Sequence, residues 1–289
     1  MNIHLGYHHH SNEAMTETTT AQAYGIAPGA RRLTRPEIAQ FEMDGYVKNL
    51  PVFDAAGIEK LQSLFHELAA RLPDDIDLSK VNMWHKASRK FYDLCRTPAI
   101  LDYVEDLTGP DFYQWGGQFF AKFPGDGSEV PWHQDAQYWP LKPQKTVTVW
   151  LAVFDTDIDN AAMQIVRGSH HQGSFRHHVN NAPHLALELE ADADQIDQAN
   201  IVTLDLKAGE ISLHDDGLLH GSGPNNSDRI RAGITMRFCP TNVAADLSVW
   251  PNHEAYLARG TDHWQLNPPG KIPVGEHFPT TKHQHSSEF

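Results

Sequence analysis

The chain has 289 residues, of which 40% are hydrophobic and 21% are charged, a composition typical of a globular protein with a sizeable core. Its formal net charge of −14, with acidic residues spread along the chain, excludes a nucleic-acid-binding surface, which needs clustered lysine and arginine side chains. The two cysteines are far apart and no run of about 18 apolar residues occurs, so we expect no disulfide framework, no membrane-spanning helix and a cytoplasmic location.

The first third of the chain is predicted to be helical after a polar extension. Residues 1–35 lack the apolar core of a signal peptide and are predicted to be disordered, and they include the tract His8-His9-His10. Residues 36–289 are predicted to form one domain. Helix-type apolar spacing and end signals then predict helices over residues 36–44, from Asp54 as N-cap to about residue 71, and over residues 88–95 and 98–107, with a short strand over residues 46–53.

After Gly109 the sequence becomes rich in short β-type stretches separated by Gly, Pro, Asp and Asn. Strands are predicted over residues 112–122, 146–154, 163–166, 201–206, 211–214 and 230–238. Helices followed by many short strands predict a mainly β fold, in which an N-terminal helical layer packs on an antiparallel β-sandwich or barrel. From about residue 241 the chain is predicted to form irregular covering loops, with one helical turn near residues 253–259.

A histidine and an aspartate stand one residue apart at His133 and Asp135, directly after a segment rich in Gly and Pro. In an extended segment, side chains two residues apart point to the same face, so both groups would face one point. A second imidazole, His220, lies beside a glycine, where the backbone can approach a site closely. Two histidines and one carboxylate leave three metal positions open, as in oxygen-activating Fe(II) sites and unlike closed structural zinc sites.

A cation for an anionic cosubstrate is predicted at Arg231. If the metal binds an α-keto acid, the distal carboxylate of that acid needs a fixed partner, and the planar fork of arginine matches a carboxylate. Arg231 begins a strand whose alternate residues are nearly all apolar, while Gly233 and Thr235 share its own face. That face of small and polar residues is predicted to form the floor of a pocket.

These residues together resemble the phytanoyl-CoA dioxygenase family of Fe(II)/2-oxoglutarate oxygenases. The resemblance rests on His133-x-Asp135, on the run that follows His220 (Gly-Ser-Gly-Pro-Asn) and on Arg231, eleven residues beyond that histidine. It implies a double-stranded β-helix, which is a jelly-roll, cupin-like core packed by the N-terminal helices. It also implies that iron is bound by His133, Asp135 and His220, and that Arg231 pairs with 2-oxoglutarate. Weaker implied cosubstrate contacts are Trp150, Ser222 and Gln118.

The activity implied by the resemblance is that of a dioxygenase. It would consume 2-oxoglutarate and O₂, release succinate and CO₂, and hydroxylate a small or medium-sized metabolite. Halogenating relatives carry a small residue where Asp135 stands, so hydroxylation is favoured over halogenation. The resemblance leaves desaturation and cyclisation open, and neither the prime substrate nor the oligomeric state is predicted.

Several alternatives stay open at this level. His214 is a rival for the role of His220, and Lys122 is interpreted as a solvated strand-end lysine rather than an anion-attracting group. Arg229 and Arg237 are interpreted as surface charges, whereas Tyr138 and Trp139 either line a substrate pocket or belong to ordinary packing. The rival functions are a cupin-like Zn²⁺ or Mn²⁺ isomerase or hydrolase, which would not need Arg231, and a non-catalytic jelly-roll binding module.

Overall fold

The computed structural model describes residues 24–73, 76, 78–280 and 283. Four α-helices lie in the N-terminal third, as predicted: α1 (Arg35–Asp44), α2 (Ala55–Ala69), α3 (Arg89–Leu94) and α4 (Pro98–Thr108). Side chains fix where the first two begin. Thr34 and Glu37 form a reciprocal capping box at α1, and Asp54 accepts a hydrogen bond from the backbone of Gly57 at α2. The predicted N-cap role of Asp54 is therefore confirmed.

Fourteen strands are formed by the described residues, and most of them follow α4. They are β1 (Tyr46–Pro51), β2 (Phe112–Lys122), β3 (Val130–His133), β4 (Leu141–Lys142), β5 (Val147–Ala152), β6 (Gln164–Val166), β7 (His177–Val179), β8 (Leu189–Ala191), β9 (Ile201–Thr203), β10 (Glu210–Asp215), β11 (His220–Ser222), β12 (Arg231–Pro240), β13 (Ala244–Ala245) and β14 (Tyr256–Arg259). All six β-type stretches predicted after Gly109 contain a strand.

Two antiparallel sheets form the centre of the fold. The larger sheet has six strands in the order β1-β10-β5-β12-β2-β14, and the smaller has four in the order β3-β11-β6-β9. Neighbouring strands are far apart in sequence, as in a jelly roll, where the chain passes back and forth between two facing sheets. The predicted fold class, a double-stranded β-helix packed by N-terminal helices, is confirmed.

The larger sheet has two different faces because its strands alternate. Val149 and Leu151 of β5 and Ile234 of β12 pack with the helices in the main hydrophobic core. Trp150 lies on the opposite face, in a smaller apolar cluster that contains Ile165 of the four-stranded sheet. The space between the two sheets is therefore lined by the face of β5 and β12 that carries the polar side chains.

The ends of the chain depart from the predicted pattern. The expected helical turn near residues 253–259 is wrong, since β14 pairs with β2 and extends the larger sheet. Residues 1–23, with the tract His8-His9-His10, lie outside the described residues, but the last part of the expected extension is packed. The Tyr24 ring lies 5.0 Å from the Phe53 ring. No helix among the described residues is both long and apolar enough to cross a membrane.

Candidate active site

Strand pairing brings two of the predicted metal-binding side chains together. His133 ends β3 and His220 begins β11, and the two residues are direct partners in this antiparallel pair. Their ring centres are 4.1 Å apart. Gln134 keeps an extended backbone (φ −109°, ψ 128°) before a short 3₁₀ helix starts at Asp135. The Asp135 carboxylate is thereby turned toward the same point, with Oδ1 3.6 Å from Nε2 of His133.

The three side chains have the spacing of a metal site. One potential ligand atom from each of His133, Asp135 and His220 lies within 4.8 Å of the other two, and all three residues are buried. Nδ1 of His133 lies 2.8 Å from the carbonyl of Pro131, and Nδ1 of His220 lies 2.9 Å from that of Leu218. A carbonyl can only accept, so each Nδ1 carries the proton and each Nε2 offers its lone pair to the shared point.

The electrostatic environment keeps His220 and Asp135 in the protonation states that bind metals. Burial, and then the close approach of the His133 imidazole, lower the pKa of His220 well below its usual value, so the His220 imidazole is neutral. Burial alone would raise the pKa of Asp135. The adjacent imidazoles of His133 and His214 and the charge of Arg237 outweigh this effect and hold that pKa well below its usual range. Asp135 is therefore an ionised carboxylate.

A third imidazole borders the same cavity. His214, on β10, is buried, and its Nε2 lies 3.7 Å from Oδ2 of Asp135. Its ring centre is 4.9 Å from that of His220. Its two ring nitrogens have no hydrogen-bond partner among the described residues. The group of ligand atoms within 4.8 Å of one another nevertheless contains His220 and not His214.

Arg231 occupies the other end of this cavity, together with Trp150 and Ser222. It is 2% exposed, and within the described part of the chain neither its Nε nor its Nη1 has a hydrogen-bond partner. Burial lowers its pKa to about 10, so the guanidinium still carries its charge at neutral pH. Its central carbon lies 4.7 Å from the centre of the Trp150 ring. Arg231 is thus a buried cation with no anionic partner in the part of the chain that the structure describes.

Gly233 makes room for this arrangement. A Cβ atom on Gly233 would lie only 2.0 Å from Cζ2 of the Trp150 indole. The small residue noted on this strand face therefore has a steric cause, since the large ring of β5 lies across the backbone of β12.

Two side chains near the Arg231 end of the cavity, Gln118 and Lys122, have environments that differ from those predicted from the sequence. Gln118 does not line the cavity, because its Nε2 donates to the carbonyl of Ser79 at 2.5 Å. The interpretation of Lys122 as a solvated lysine is wrong. It is 2% exposed, and its Nζ donates to the carbonyls of Ser222 and Gly223. Burial and the neighbouring Arg231 lower the pKa of Lys122 to about 7.

The two other arginines of this region have different environments. Arg229 is exposed and pairs with Asp157 at 2.7 Å, in agreement with its interpretation as a surface charge. Arg237 is buried, lines the cavity and lies over the rings of Trp115 and Trp139, so its interpretation as a surface charge is wrong. Strand alternation was the signal for this, since Arg237 follows Arg231, Gly233 and Thr235 at two-residue steps.

A larger cavity of about 480 Å³ adjoins the site. Phe120, Val130 and Arg231 line both this cavity and the one between the metal-binding side chains. Apolar side chains such as Leu72, Leu78 and Leu185 form much of its wall. The site therefore has space for a small or medium-sized organic molecule beside it.

Comparison with known proteins gives consistent matches. Residues 41–233 match the sequence model of a family described as Phytanoyl-CoA dioxygenase (PhyH). The peroxisomal phytanoyl-CoA dioxygenase of Mus musculus is 27% identical over 179 residues, which are 58% of this chain and 51% of that protein. The chain spans between 51% and 61% of the length of the first curated relatives that it matches.

Solved structures also match this chain. The apo structure of the non-heme monooxygenase ThoJ is 29% identical, with a TM-score of 0.69 over 83% of this chain and 89% of that chain. The structure of CytC3 with Fe(II) and alpha-ketoglutarate has a TM-score of 0.62 at 21% identity and covers 86% of this chain and 99% of that chain. At that identity, the second match shows a shared fold.

Proposed function

The chain belongs to the phytanoyl-CoA dioxygenase family, and from that premise we propose that it is an Fe(II)- and 2-oxoglutarate-dependent oxygenase. In this proposal His133, Asp135 and His220 hold the iron. Arg231 binds the distal carboxylate of 2-oxoglutarate, with Trp150 and Ser222 as further contacts. The observation that carries the proposal is the buried guanidinium of Arg231, which has no anionic partner among the described residues and lines the same cavity as the three metal-binding side chains.

The donor set fits iron in its ferrous state. Two neutral imidazoles and one carboxylate on one side of an ion leave open positions for a cosubstrate and O₂, whereas a structural zinc site would need a fourth protein ligand. The carbonyls of Pro131 and Leu218 orient the imidazoles before any metal arrives. When bound, the iron would couple the oxidative decarboxylation of 2-oxoglutarate to the oxidation of a substrate C–H bond.

The fit to 2-oxoglutarate rests on side chains at the far end of the cavity. Burying an unpaired guanidinium is costly, and a carboxylate that accepts two parallel hydrogen bonds would remove that cost. The hydroxyl of Ser222 also lacks a partner among the described residues and lines the same space. Trp150 forms the wall beside Arg231. Gln118 has no cosubstrate role in this proposal, because its amide is engaged with Ser79.

Hydroxylation of a small or medium-sized metabolite is the reaction we propose. The adjoining cavity of about 480 Å³ has a size that would admit such a molecule to the Arg231 end of the site. Asp135 occupies the position that halogenating relatives leave open for a halide, so halogenation is not favoured. We further propose that residues 36–289 form one oxygenase domain. The cytoplasmic location stays a prediction.

The rival functions lack an observation that favours them. An isomerase or hydrolase that used Zn²⁺ or Mn²⁺ could use the same three ligands, but it would have no need for a buried, unpaired arginine in the same cavity. A non-catalytic binding module would need neither the oriented imidazoles nor the open positions. Arg231 is thus the residue that separates the three possibilities.

The direct experiment combines activity with binding. The protein is supplied with Fe(II), ascorbate and 2-oxoglutarate under air, and succinate is measured, because uncoupled turnover requires no prime substrate. Anaerobic calorimetry then measures 2-oxoglutarate binding to the Fe(II)-loaded protein. Binding and succinate formation that disappear in His220→Gln support the proposal. Failure to bind 2-oxoglutarate in the presence of Fe(II) would refute it.

A further inference from the structure

The site contains a second buried cation that the proposed iron and 2-oxoglutarate chemistry does not use. Arg237 is 7% exposed and lines the cavity that contains His133 and Asp135. Its Nε has no hydrogen-bond partner, and its guanidinium forms no ion pair among residues 24–73, 76, 78–280 and 283. A charged side chain buried in this way needs compensation, and the rings of Trp115 and Trp139, 5.7 and 5.2 Å from its central carbon, give only part of it.

Arg231 and Arg237 lie at opposite ends of the site. Both belong to the same face of β12, six residues apart, which corresponds to about 20 Å between their Cα atoms at the usual rise of a strand. Trp150 and Thr148 of β5 lie near different ends of this row. Trp150 contacts Arg231, whereas Thr148 lies opposite Arg237 and its hydroxyl is 3.4 Å from Asp135. The two guanidinium groups therefore have different neighbours, Arg231 beside Trp150 and Arg237 beside Trp115 and Trp139.

The surroundings of Arg237 are shaped to hold its side chain toward the cavity. Gly116 of β2 is its direct neighbour across the strand pair, and a Cβ on Gly116 would come within 2.9 Å of Cδ of Arg237. Trp115 and Trp139 pack edge to face, with ring centres 4.6 Å apart. Trp139 is partly exposed, so this aromatic pair extends from the buried arginine toward the surface.

We propose that Arg237, with Trp115 and Trp139, forms a substrate-recognition subsite for a carboxylate on the prime substrate. The planar fork would bind the carboxylate, and the indole rings would pack against the apolar or aromatic body that carries it. This inference rests on the proposed oxygenase function, because it places a second organic acid beside the iron while 2-oxoglutarate occupies Arg231. It narrows the substrate class to carboxylic acids with an apolar body.

The alternative role for Arg237 is purely electrostatic. Among the acids, the charge of Asp135 acts most on Arg237, so the arginine could serve only to keep that carboxylate ionised and oriented. In that case Arg237 would influence iron binding and would not distinguish one substrate from another. The two roles therefore predict different effects of the same substitution.

The test uses a matched pair of probes, phenylacetate and its neutral isostere phenylacetamide. Each is titrated anaerobically into the full chain loaded with Fe(II) and saturating 2-oxoglutarate, so that Arg231 is already occupied, and binding is followed by tryptophan fluorescence. The variants are Arg237→Gln, which removes the charge, and Arg237→Lys, which keeps the charge without the planar fork. The matched control is the exposed Arg229→Gln, and thermal melts verify folding.

We expect the wild-type protein to bind the acid roughly tenfold or more tightly than the amide. Arg237→Gln should abolish this preference, Arg237→Lys should retain part of it, and Arg229→Gln should behave as wild type. If Arg237→Gln does not fold, the test rests on Arg237→Lys. An unchanged preference of Arg237→Lys for the acid over the amide would contradict a bidentate site.

Three results would overturn the inference. The first is equal affinity of the wild type for acid and amide, and the second is a preference for the acid that persists in Arg237→Gln. The third is loss of Fe(II) binding as the main effect of Arg237→Gln, which would assign the electrostatic role to Arg237. Failure of the proposed function is seen separately. It would appear as absence of 2-oxoglutarate binding in the wild type, whatever the outcome with phenylacetate.

Discussion

The guanidinium carbon of Arg231 lies 4.7 Å from the centre of the Trp150 ring, and both side chains are buried between the two sheets. A cation over an indole gains about 0.5 to 2 kcal/mol, which is less than the cost of removing a guanidinium from water. The pair is thus incompletely stabilised until a carboxylate arrives. This is the physical reason for assigning cosubstrate binding to this end of the cavity.

Arg231→Gln is expected to weaken 2-oxoglutarate binding roughly tenfold to a hundredfold, because charge-assisted hydrogen bonds contribute about 1.5 to 3 kcal/mol. Arg231→Lys should lose less, since it keeps the charge without the fork. Anaerobic calorimetry on the Fe(II)-loaded protein gives both affinities. The exposed Arg229→Gln is the control. Without 2-oxoglutarate, Arg231→Gln should be no less stable than wild type, because it removes an unpaired buried charge. Wild-type affinity in Arg231→Gln would contradict the assignment.

Gly233→Ala should damage the same end of the cavity by a steric route. The new Cβ would lie 2.0 Å from Cζ2 of Trp150, and a buried indole cannot move away without disturbing its neighbours. We expect a loss of about 1 to 3 kcal/mol in the free energy of unfolding, measured by urea denaturation, together with weaker 2-oxoglutarate binding. Gly223→Ala is the control, since a Cβ there would have no atom within 4 Å. A neutral Gly233→Ala would show that Trp150 is freely displaced.

Much of the site was predictable from the sequence because its signals are local. The alternation along β12 identified the pocket face that carries Arg231, and the spacing of His133 and Asp135 identified two groups facing one point. The choice of His220 over His214 rested on the glycine-rich segment that follows it. The geometry agrees, since His220 is the direct strand partner of His133.

The missed features depend on contacts between distant segments. Lys122 ends β2, where a lysine is usually solvated, but its Nζ donates to the carbonyls of Ser222 and Gly223 at the end of β11. Arg237 is buried because tryptophans from two other segments cover it. Strand β14 formed where a helical turn was expected, because the open edge of β2 offered backbone hydrogen bonds that no local pattern reveals. Contacts between segments that are distant in sequence determine the burial of both side chains and the formation of β14.

His214→Gln and His220→Gln should separate the two imidazoles of this region by function. His220→Gln is expected to abolish binding of one Fe(II) per chain, whereas His214→Gln should lower the affinity by no more than about tenfold. The 3.7 Å between His214 and Asp135 is longer than a hydrogen bond, so His214 contributes only through its influence on that carboxylate. Anaerobic Fe(II) titration measures the stoichiometry and the affinity of iron binding in both variants. Loss of stoichiometric binding in His214→Gln but not in His220→Gln would exchange their roles.

Asp216 should make the stability of the metal-free protein depend on pH. Its carboxylate is buried and accepts a hydrogen bond from the backbone of Thr146 at 2.8 Å. Burial, and then the charge of Asp215, raise its pKa from 3.8 to about 7. Because the folded state holds this proton more tightly than the unfolded state, its contribution to stability is complete below pH 4 and is lost as the pH rises through 7.

Asp216→Asn keeps the acceptor oxygen and removes the ionisation, so it should match the wild type near pH 4 and exceed it by about 2 to 4 kcal/mol in unfolding free energy above pH 7. Urea denaturation across that range, with the difference between the two proteins plotted against pH, is the measurement. The exposed Asp159→Asn controls for the loss of one acid. A flat difference for Asp216→Asn would mean that this carboxylate ionises without penalty, which would require water or a cation to reach it in the folded protein.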